Sequence, residues 1–216
     1  SYNAFTHCVN DYILLDSGSA LGNNCGPLLI KKPTTILNTE SKIAIPGKYT
    51  TANMLLGIAF PEHQNKVEIL FSEIENELLK GNVDAGLIIH ENRFTYKEKG
   101  LEKVKDLGEF WEEETGLPIP LGGIVVKRNL PFEVQLKIER VLRRSVEYAF
   151  ANPNSSAEYV KCHAQEMKKE VVDAHIALYV NDYSISLGAQ GRKAVEKVFE
   201  KAGKEYSSVF VEGSKQ

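Results

Sequence analysis

The chain has 216 residues, a formal net charge of −3, 43% hydrophobic residues and 25% charged residues, which is the balance of an ordinary globular protein. This length suffices for one large domain or for two small α/β lobes. The charge gives no electrostatic basis for nucleic-acid binding, and no apolar run approaches the about 20 residues of a membrane span.

The first thirty residues predict strands around a glycine-rich loop. Residues 1–12 have the apolar spacing of a short helix, and residues 12–15 and 27–30 are short apolar runs typical of strands. Glycine-rich loops can cradle phosphate, but the loop at residues 16–26 lacks the GxxxxGK[ST] pattern, and no helix follows it. A flexible connection between two strands is therefore the favoured interpretation.

A strand, a tight turn and a helix are predicted in succession from residue 42. Residues 42–46 form the strand, Gly47 begins the turn, and Thr50 or Thr51 is the candidate N-cap of the helix. A helix N-terminus offers N–H groups and a partial positive charge, which suit a carboxylate or a phosphate. Simple capping is the alternative, because threonine is common at such positions. A strand at residues 67–71 and a short helix at residues 73–80, ended by Gly81, are predicted next.

The stretch from residue 83 to residue 96 carries the strongest functional signal. Residues 85–89 are an apolar run, which predicts a strand buried on both faces. His90 follows this strand directly, and functional groups of open α/β sheets collect at the carboxyl ends of their strands. A solvated loop with a structural histidine is the alternative. Glu91 is interpreted as structural, since strand neighbours point to opposite faces. The sequence leaves open whether Arg93 meets a ligand anion or a carboxylate of its own protein.

The last half of the chain changes from extended to helical. Residues 108–115 predict a helix or a solvated face, and the prolines of residues 116–123 enforce an extended path before a strand at residues 124–126. The helical spacing then continues to the C-terminal third. The first predicted helix lies at residues 131–152, and Ser155 or Ser156 caps a second helix that contains Ala164. Two further helices are predicted at residues 171–179 and 194–202.

Strands alternating with helices between residues 42 and 126 predict an α/β lobe with a largely parallel sheet. We therefore predict a second lobe at residues 42–127. The first lobe is expected to comprise residues 1–41 and 128–216. Ligand sites favour the cleft that two such lobes leave between them.

The cysteines and histidines give no metal-binding pattern. Cys8, Cys25 and Cys162 are scattered and form no CxxC pair, and the five histidines make no HExxH motif. Free thiols in a reducing compartment fit best, which favours a cytoplasmic location. No metal site is predicted.

Several motifs together resemble the 1,4-dihydroxy-6-naphthoate synthases of the futalosine route to menaquinone. The resemblance runs from Ser1 almost to the C-terminus and is most specific at residues 45–52 and 86–96. Residues 17–22, 116–122 and 144–149 add to it. The resemblance implies an α/β, two-lobed fold of the periplasmic-binding-protein type II with a helical C-terminal third.

The family's activity implies a lyase that converts cyclic dehypoxanthinyl futalosine, a small acidic substrate, to 1,4-dihydroxy-6-naphthoate without a cofactor. The resemblance implies that His90 is the proton acceptor and that Thr51 and Ala52 bind the substrate. Ser1 matches the last residue of a further binding segment.

Similar proteins begin well upstream of Ser1, so an incomplete first lobe is expected, with either a missing or a separately supplied N-terminal segment. A homodimer is a further expectation. The alternatives are a chorismate dehydratase of the same pathway and a non-catalytic solute-binding protein for a small acid.

Overall fold

The computed structural model describes residues 1–163, 168–206 and 208–211. The chain divides into two compact units, Ser1–Gly22 with Pro120–Gln216, and Asn23–Ile119. The strands are β1 (Tyr12–Leu14), β2 (Ala20–Gly22), β3 (Leu28–Lys31), β4 (Ile43–Ile45), β5 (Lys66–Glu68), β6 (Ala85–Ile88), β7 (Glu102–Asp106), β8 (Ile119–Gly122) and β9 (Val125–Lys127). The α-helices are α1 (Tyr2–Thr6), α2 (Thr51–Ala59), α3 (Ile74–Lys80), α4 (Asn92–Thr95), α5 (Leu107–Thr115), α6 (Phe132–Ala151), α7 (Ala157–His163), α8 (Lys169–Tyr179), α9 (Asp182–Ile185) and α10 (Gly188–Lys201). Short 3-10 helices lie at Phe71–Glu73 and Tyr96–Lys99.

The second unit is built on a five-stranded sheet in the order β5-β4-β6-β3-β7. Strand β4 is parallel to both β5 and β6, whereas β3 is antiparallel to both β6 and β7. Strands β4, β5, β6 and β7 therefore run in the same direction, which confirms the largely parallel sheet predicted for residues 42–126. Strand β3 comes from outside that region and is the antiparallel member of the sheet.

The boundaries of the compact units differ from those expected for the lobes. Residues 23–41 lie in the second unit, because β3 hydrogen-bonds inside its sheet, with Leu28 opposite Ile88. Residues 120–127 lie in the first unit, because β9 pairs antiparallel with β1 there, with Tyr12 opposite Lys127.

The core of the second unit is centred on β6, which is buried at all four of its residues, as its apolar run predicts. Helix α3 packs closely on this strand. A Cβ atom placed on Gly86 would lie 2.5 Å from the Cγ2 atom of Ile74, so the helix can approach only because residue 86 is glycine. The buried core residues are Leu28, Ile30, Ala44, Ile74, Leu78, Val83, Ile88, Tyr96 and Leu101.

The first unit combines two small strand pairs, β1-β9 and β2-β8, with helices. Helix α10 buries Val195, Val198 and Phe199, and the Phe199 ring meets Phe5 of α1 edge to face at 5.5 Å between centroids. A second cluster gathers Ile13, Leu15, Val126 and Val211. Among the described residues, no helix is both long enough and apolar enough to cross a membrane.

The glycine-rich loop after β1 is held by a carboxylate of the protein itself. The Glu139 side chain of α6 accepts hydrogen bonds from the backbone N–H groups of Asp16 (2.7 Å) and Ser17 (3.0 Å). Asp16 in turn accepts from Arg192 at 2.6 Å. The structure confirms that this segment joins two strands, β1 and β3, although its middle residues Ala20–Gly22 form strand β2 rather than loop.

Several local predictions differ from the structure. Strand β7 and helix α9 were not predicted, and α10 begins at Gly188 rather than Ala194. The strand predicted at residues 67–71 is β5, which instead covers Lys66–Glu68, and Phe71 opens a 3-10 helix. The helix predicted to begin at Ser155 or Ser156 is α7, and Ala164, which was predicted to belong to it, lies outside the described residues.

Candidate functional site

One edge of the five-stranded sheet gathers the predicted site residues of the second unit. Strands β4, β5 and β6 are parallel, and β7 runs in the same direction because β3 opposes both β6 and β7. The carboxyl ends of these four strands therefore share one edge, where ligand sites of open α/β sheets form. The α2 turn follows β4 at this edge, and His90 follows β6, the neighbour of β4.

The turn after β4 presents the N-terminus of α2. Thr50 is its N-cap: the Thr50 hydroxyl accepts from the Asn53 N–H at 3.1 Å and donates to the Gly47 carbonyl at 2.7 Å. Thr51 and Ala52 form the first turn, and only 3% and 4% of their surfaces are exposed. A helix supplies no internal acceptor for its first-turn N–H groups, which carry a partial positive charge. This turn therefore suits a carboxylate.

His90 occupies an unusual backbone conformation at the end of β6. Its φ is +58°, the left-handed region, which is unfavourable for residues other than glycine by about 1–3 kcal/mol. Such strain persists where the surrounding structure enforces it, and it is frequent at functional sites. The ring of Phe71, which follows β5, packs edge to face on the His90 imidazole at 5.2 Å between centroids.

The surroundings of His90 favour a neutral imidazole. The side chain reaches solvent, but partial burial against the protein lowers the pKa of His90 below its usual value of 6.5. The negative charge of Glu91 acts in the opposite direction and raises the pKa, with a smaller effect. A histidine with a lowered pKa is neutral near pH 7 and can accept a proton.

Arg93 pairs with a carboxylate of its own protein, which answers the question left open by the sequence. Its Nη2 atom donates to Asp106 Oδ2 at 2.8 Å, and its Nη1 atom donates to the carbonyl of Gly26. Asp106 is the N-cap of α5, and its Oδ1 atom accepts from the N–H groups of Gly108 and Glu109. The guanidinium therefore ties the segment after His90 to β7 and α5.

Asn92 is held on the other side of this segment by a buried carboxylate. Its side-chain amide donates to Glu75 of α3, and the same Oε2 atom accepts from Lys99 at 2.6 Å. Sequence reasoning missed both Glu75 and Asp106. Asp106 begins the pattern Asp-Leu-Gly-Glu, which is a recognisable helix start. Glu75 has no such signal, because a glutamate in a short amphipathic helix is ordinarily exposed.

Ser1 lies in the first unit, directly before α1, and is exposed. Strand β8 passes beside it, since a Cβ atom on Gly122 would lie 3.7 Å from the Ser1 Cα atom. The structure thus brings Thr51, Ala52 and His90 to one sheet edge of the second unit and places Ser1 in the other unit.

The described residues contain no group of three or more His, Cys, Asp or Glu side chains that could hold a metal ion. Cys8, Cys25 and Cys162 are free thiols, and burial raises the pKa of the Cys25 thiol to about 12. A thiol with so high a pKa is protonated near pH 7, so Cys25 is a packing residue rather than a nucleophile.

Comparisons with known proteins agree on one family. A 1,4-dihydroxy-6-naphthoate synthase from Thermus thermophilus is 41% identical over 202 residues, which cover 94% of this chain and 74% of that protein. A crystal structure of an Archaeoglobus fulgidus protein has a TM-score of 0.88 at 36% identity and covers 94% of this chain and 76% of that one. Both similarities extend over nearly the whole chain.

A more distant structure confirms the expected fold class. The periplasmic aliphatic sulphonate binding protein SsuA from Escherichia coli has a TM-score of 0.56 at 14% identity, covering 96% of this chain and 82% of that one. The α/β fold is therefore that of periplasmic binding proteins, with a helical C-terminal region. A family model described as menaquinone biosynthesis matches residues 1–204. The chain therefore belongs to the menaquinone biosynthesis family.

Proposed function

We propose that this chain carries the catalytic histidine of a lyase that converts cyclic dehypoxanthinyl futalosine to 1,4-dihydroxy-6-naphthoate. The observation that carries the proposal is the strained, partly buried His90 at the carboxyl end of β6, beside the strand that leads into α2. The similarity to the Thermus thermophilus synthase supports the substrate.

In this scheme the substrate carboxylate binds at the N-terminus of α2. The backbone N–H groups of Thr51 and Ala52 and the Thr51 hydroxyl are the donors, and the helix dipole adds a favourable charge. Ser1 is the remaining residue that we propose to bind the substrate. Thr50 shapes this turn through its two hydrogen bonds rather than by touching the ligand.

His90 acts as the general base. Its neutral imidazole removes a proton from the sugar-derived part of the substrate, the electron pair left behind opens the ring, and the sugar-derived fragment leaves. Aromatisation of the remaining dihydroxynaphthoate drives the fragmentation. The electrons stay within the substrate, so the scheme needs no nicotinamide, flavin or metal. A positioned base of this kind contributes about 10²–10⁴ in rate.

The test compares His90→Asn with the unaltered complete protein. Asparagine tolerates the left-handed backbone but offers no base, so the turn is kept while proton abstraction is lost. We expect kcat to fall by about 10²–10⁴, followed as formation of dihydroxynaphthoate by chromatography. His163→Asn, on the exposed side of α7, is the matched control and should leave kcat unchanged.

Three results contradict the proposal. Undiminished turnover by His90→Asn removes His90 as the base. Turnover of chorismate instead of the futalosine derivative indicates a chorismate dehydratase. Saturable binding of the substrate without product indicates a solute-binding protein.

We also propose a cytoplasmic location. The support is chemical: three free cysteines, one of them exposed, are characteristic of proteins in a reducing compartment. Fractionation of the native cells, with detection of the protein by mass spectrometry, tests this location.

A further inference from the structure

A buried carboxylate lies behind the turn that carries His90. Glu75 of α3 has no exposed surface, and its Oε2 atom accepts from both Asn92 and Lys99. Among the described residues its Oε1 atom has no hydrogen-bond partner. A buried, incompletely satisfied carboxylate is unfavourable for folding, so its position calls for a functional explanation. We call Glu75, Asn92 and Lys99 the Glu75 cluster.

The Glu75 cluster holds the chain in place immediately after His90, through the side chain of Asn92. Asn92 is two residues beyond His90 and is the first residue of α4. The next residue, Arg93, binds Asp106 and the Gly26 carbonyl. Two consecutive side chains therefore anchor the turn to two different parts of the unit, α3 through Asn92 and the start of α5 through Arg93.

We propose that Glu75, acting through Asn92, is a positioning residue that holds His90 in its left-handed conformation. This inference rests on the proposed role of His90 as the base. Left-handed backbone at a residue other than glycine persists only where neighbouring contacts enforce it, and the Glu75 cluster supplies such contacts on one side of the turn. The imidazole is thereby kept against Phe71, in the setting that keeps it neutral.

The main experiment uses Asn92→Ala in the complete protein. This change cuts the link between the turn and α3 but leaves the Glu75–Lys99 pair in place. We expect kcat about 10- to 100-fold lower with KM little changed, because a misplaced base costs rate rather than binding. The matched control is Asn76→Ala, on the same helix as Glu75. Asn76 also donates to a glutamate, Glu73, but at an exposed position.

A second readout separates positioning from general damage. The His90 imidazole is followed by NMR, with its resonance assigned from the His90→Asn spectrum. In Asn92→Ala we expect the His90 pKa to rise towards its ordinary value, because the released ring gains solvent. If Asn92→Ala only destabilised the fold, the pKa of His90 would stay unchanged. The Asn76→Ala control should also leave the pKa of His90 unchanged.

Two further variants keep the test decisive if Asn92→Ala folds poorly. Glu75→Gln preserves shape but weakens both bonds to Oε2, and its matched control on α3 is Glu77→Gln. The double change of Glu75→Gln with Asn92→Asp reverses donor and acceptor between residues 75 and 92 and should recover part of the lost kcat. Recovery is incomplete because Lys99 can only donate and loses its carboxylate acceptor on residue 75.

The inference is overturned if the Asn92→Ala and Glu75→Gln variants match their controls in both kcat and the His90 pKa while the unaltered protein is active. If the unaltered protein fails to convert the futalosine derivative, the proposed function fails instead. The NMR comparison then still decides whether the Glu75 cluster fixes the conformation of His90.

Discussion

The Arg93–Asp106 pair should be among the most stabilising side-chain contacts of the second unit. Asp106 is 2% exposed and Arg93 is 15% exposed at the side chain, and their charged atoms lie 2.8 Å apart. Replacing Arg93 with leucine leaves a buried carboxylate without its counter-charge, which typically lowers the free energy of unfolding by about 3–5 kcal/mol. We expect a value near 3 kcal/mol, because Asp106 keeps its bonds to two α5 amides.

Thermal and urea unfolding of the complete protein measure this cost. For a protein of this size, 3 kcal/mol corresponds to a fall in Tm of about 6–12 °C. Arg93→Lys should cost less, about 1 kcal/mol, because one ammonium cannot serve both Asp106 and the Gly26 carbonyl. The control is Lys105→Leu, which removes an exposed ion pair with Glu113. It should lower the free energy of unfolding by less than about 1 kcal/mol. An Arg93→Leu effect no larger than that of the control would refute the reasoning.

Three further predictions concern the sheet edge. His90→Gly should be more stable to urea than His90→Ala by about 1 kcal/mol, because only glycine adopts the left-handed backbone without strain. The kcat/KM value should fall as the pH drops through the pKa of His90. Because this pKa is lowered, the fall should occur at a lower pH than for a fully solvated histidine. Glu91→Gln should move that fall to still lower pH, since Glu91 raises the pKa. Thr50→Ala should cost about 1 kcal/mol in thermal unfolding and weaken substrate binding measured by calorimetry, because the N-cap of α2 is lost.

Local patterns predicted the features that depend on neighbouring residues. The apolar run before His90 is a buried strand, and the threonine pair after Gly47 does cap a helix, with Thr50 as the cap. Both signals act within a few positions, where hydrophobic periodicity and capping chemistry determine the conformation. The role of His90 in proton transfer stays a prediction.

Features that depend on distant residues were not predictable in the same way. The place of β3 inside the sheet depends on pairing with Ile88 and Asp106, far along the chain. The partner of Arg93 is likewise set by folding, since its two acceptors come from separate segments. A single sequence contains no local signal for such pairings, so the insertion of β3 into the sheet was not predicted and the boundaries of the compact units differed from expectation.

The position of β3 also has a consequence for synthesis of the protein on the ribosome. This strand emerges before β4 and β5, yet its two neighbours, β6 and β7, are translated last of the five. The hydrogen-bonding edges of β3 therefore remain unpaired while most of the unit is synthesised. Exposed strand edges can pair with other chains. We expect the nascent chain to be most vulnerable to aggregation until Asp106 has left the exit tunnel.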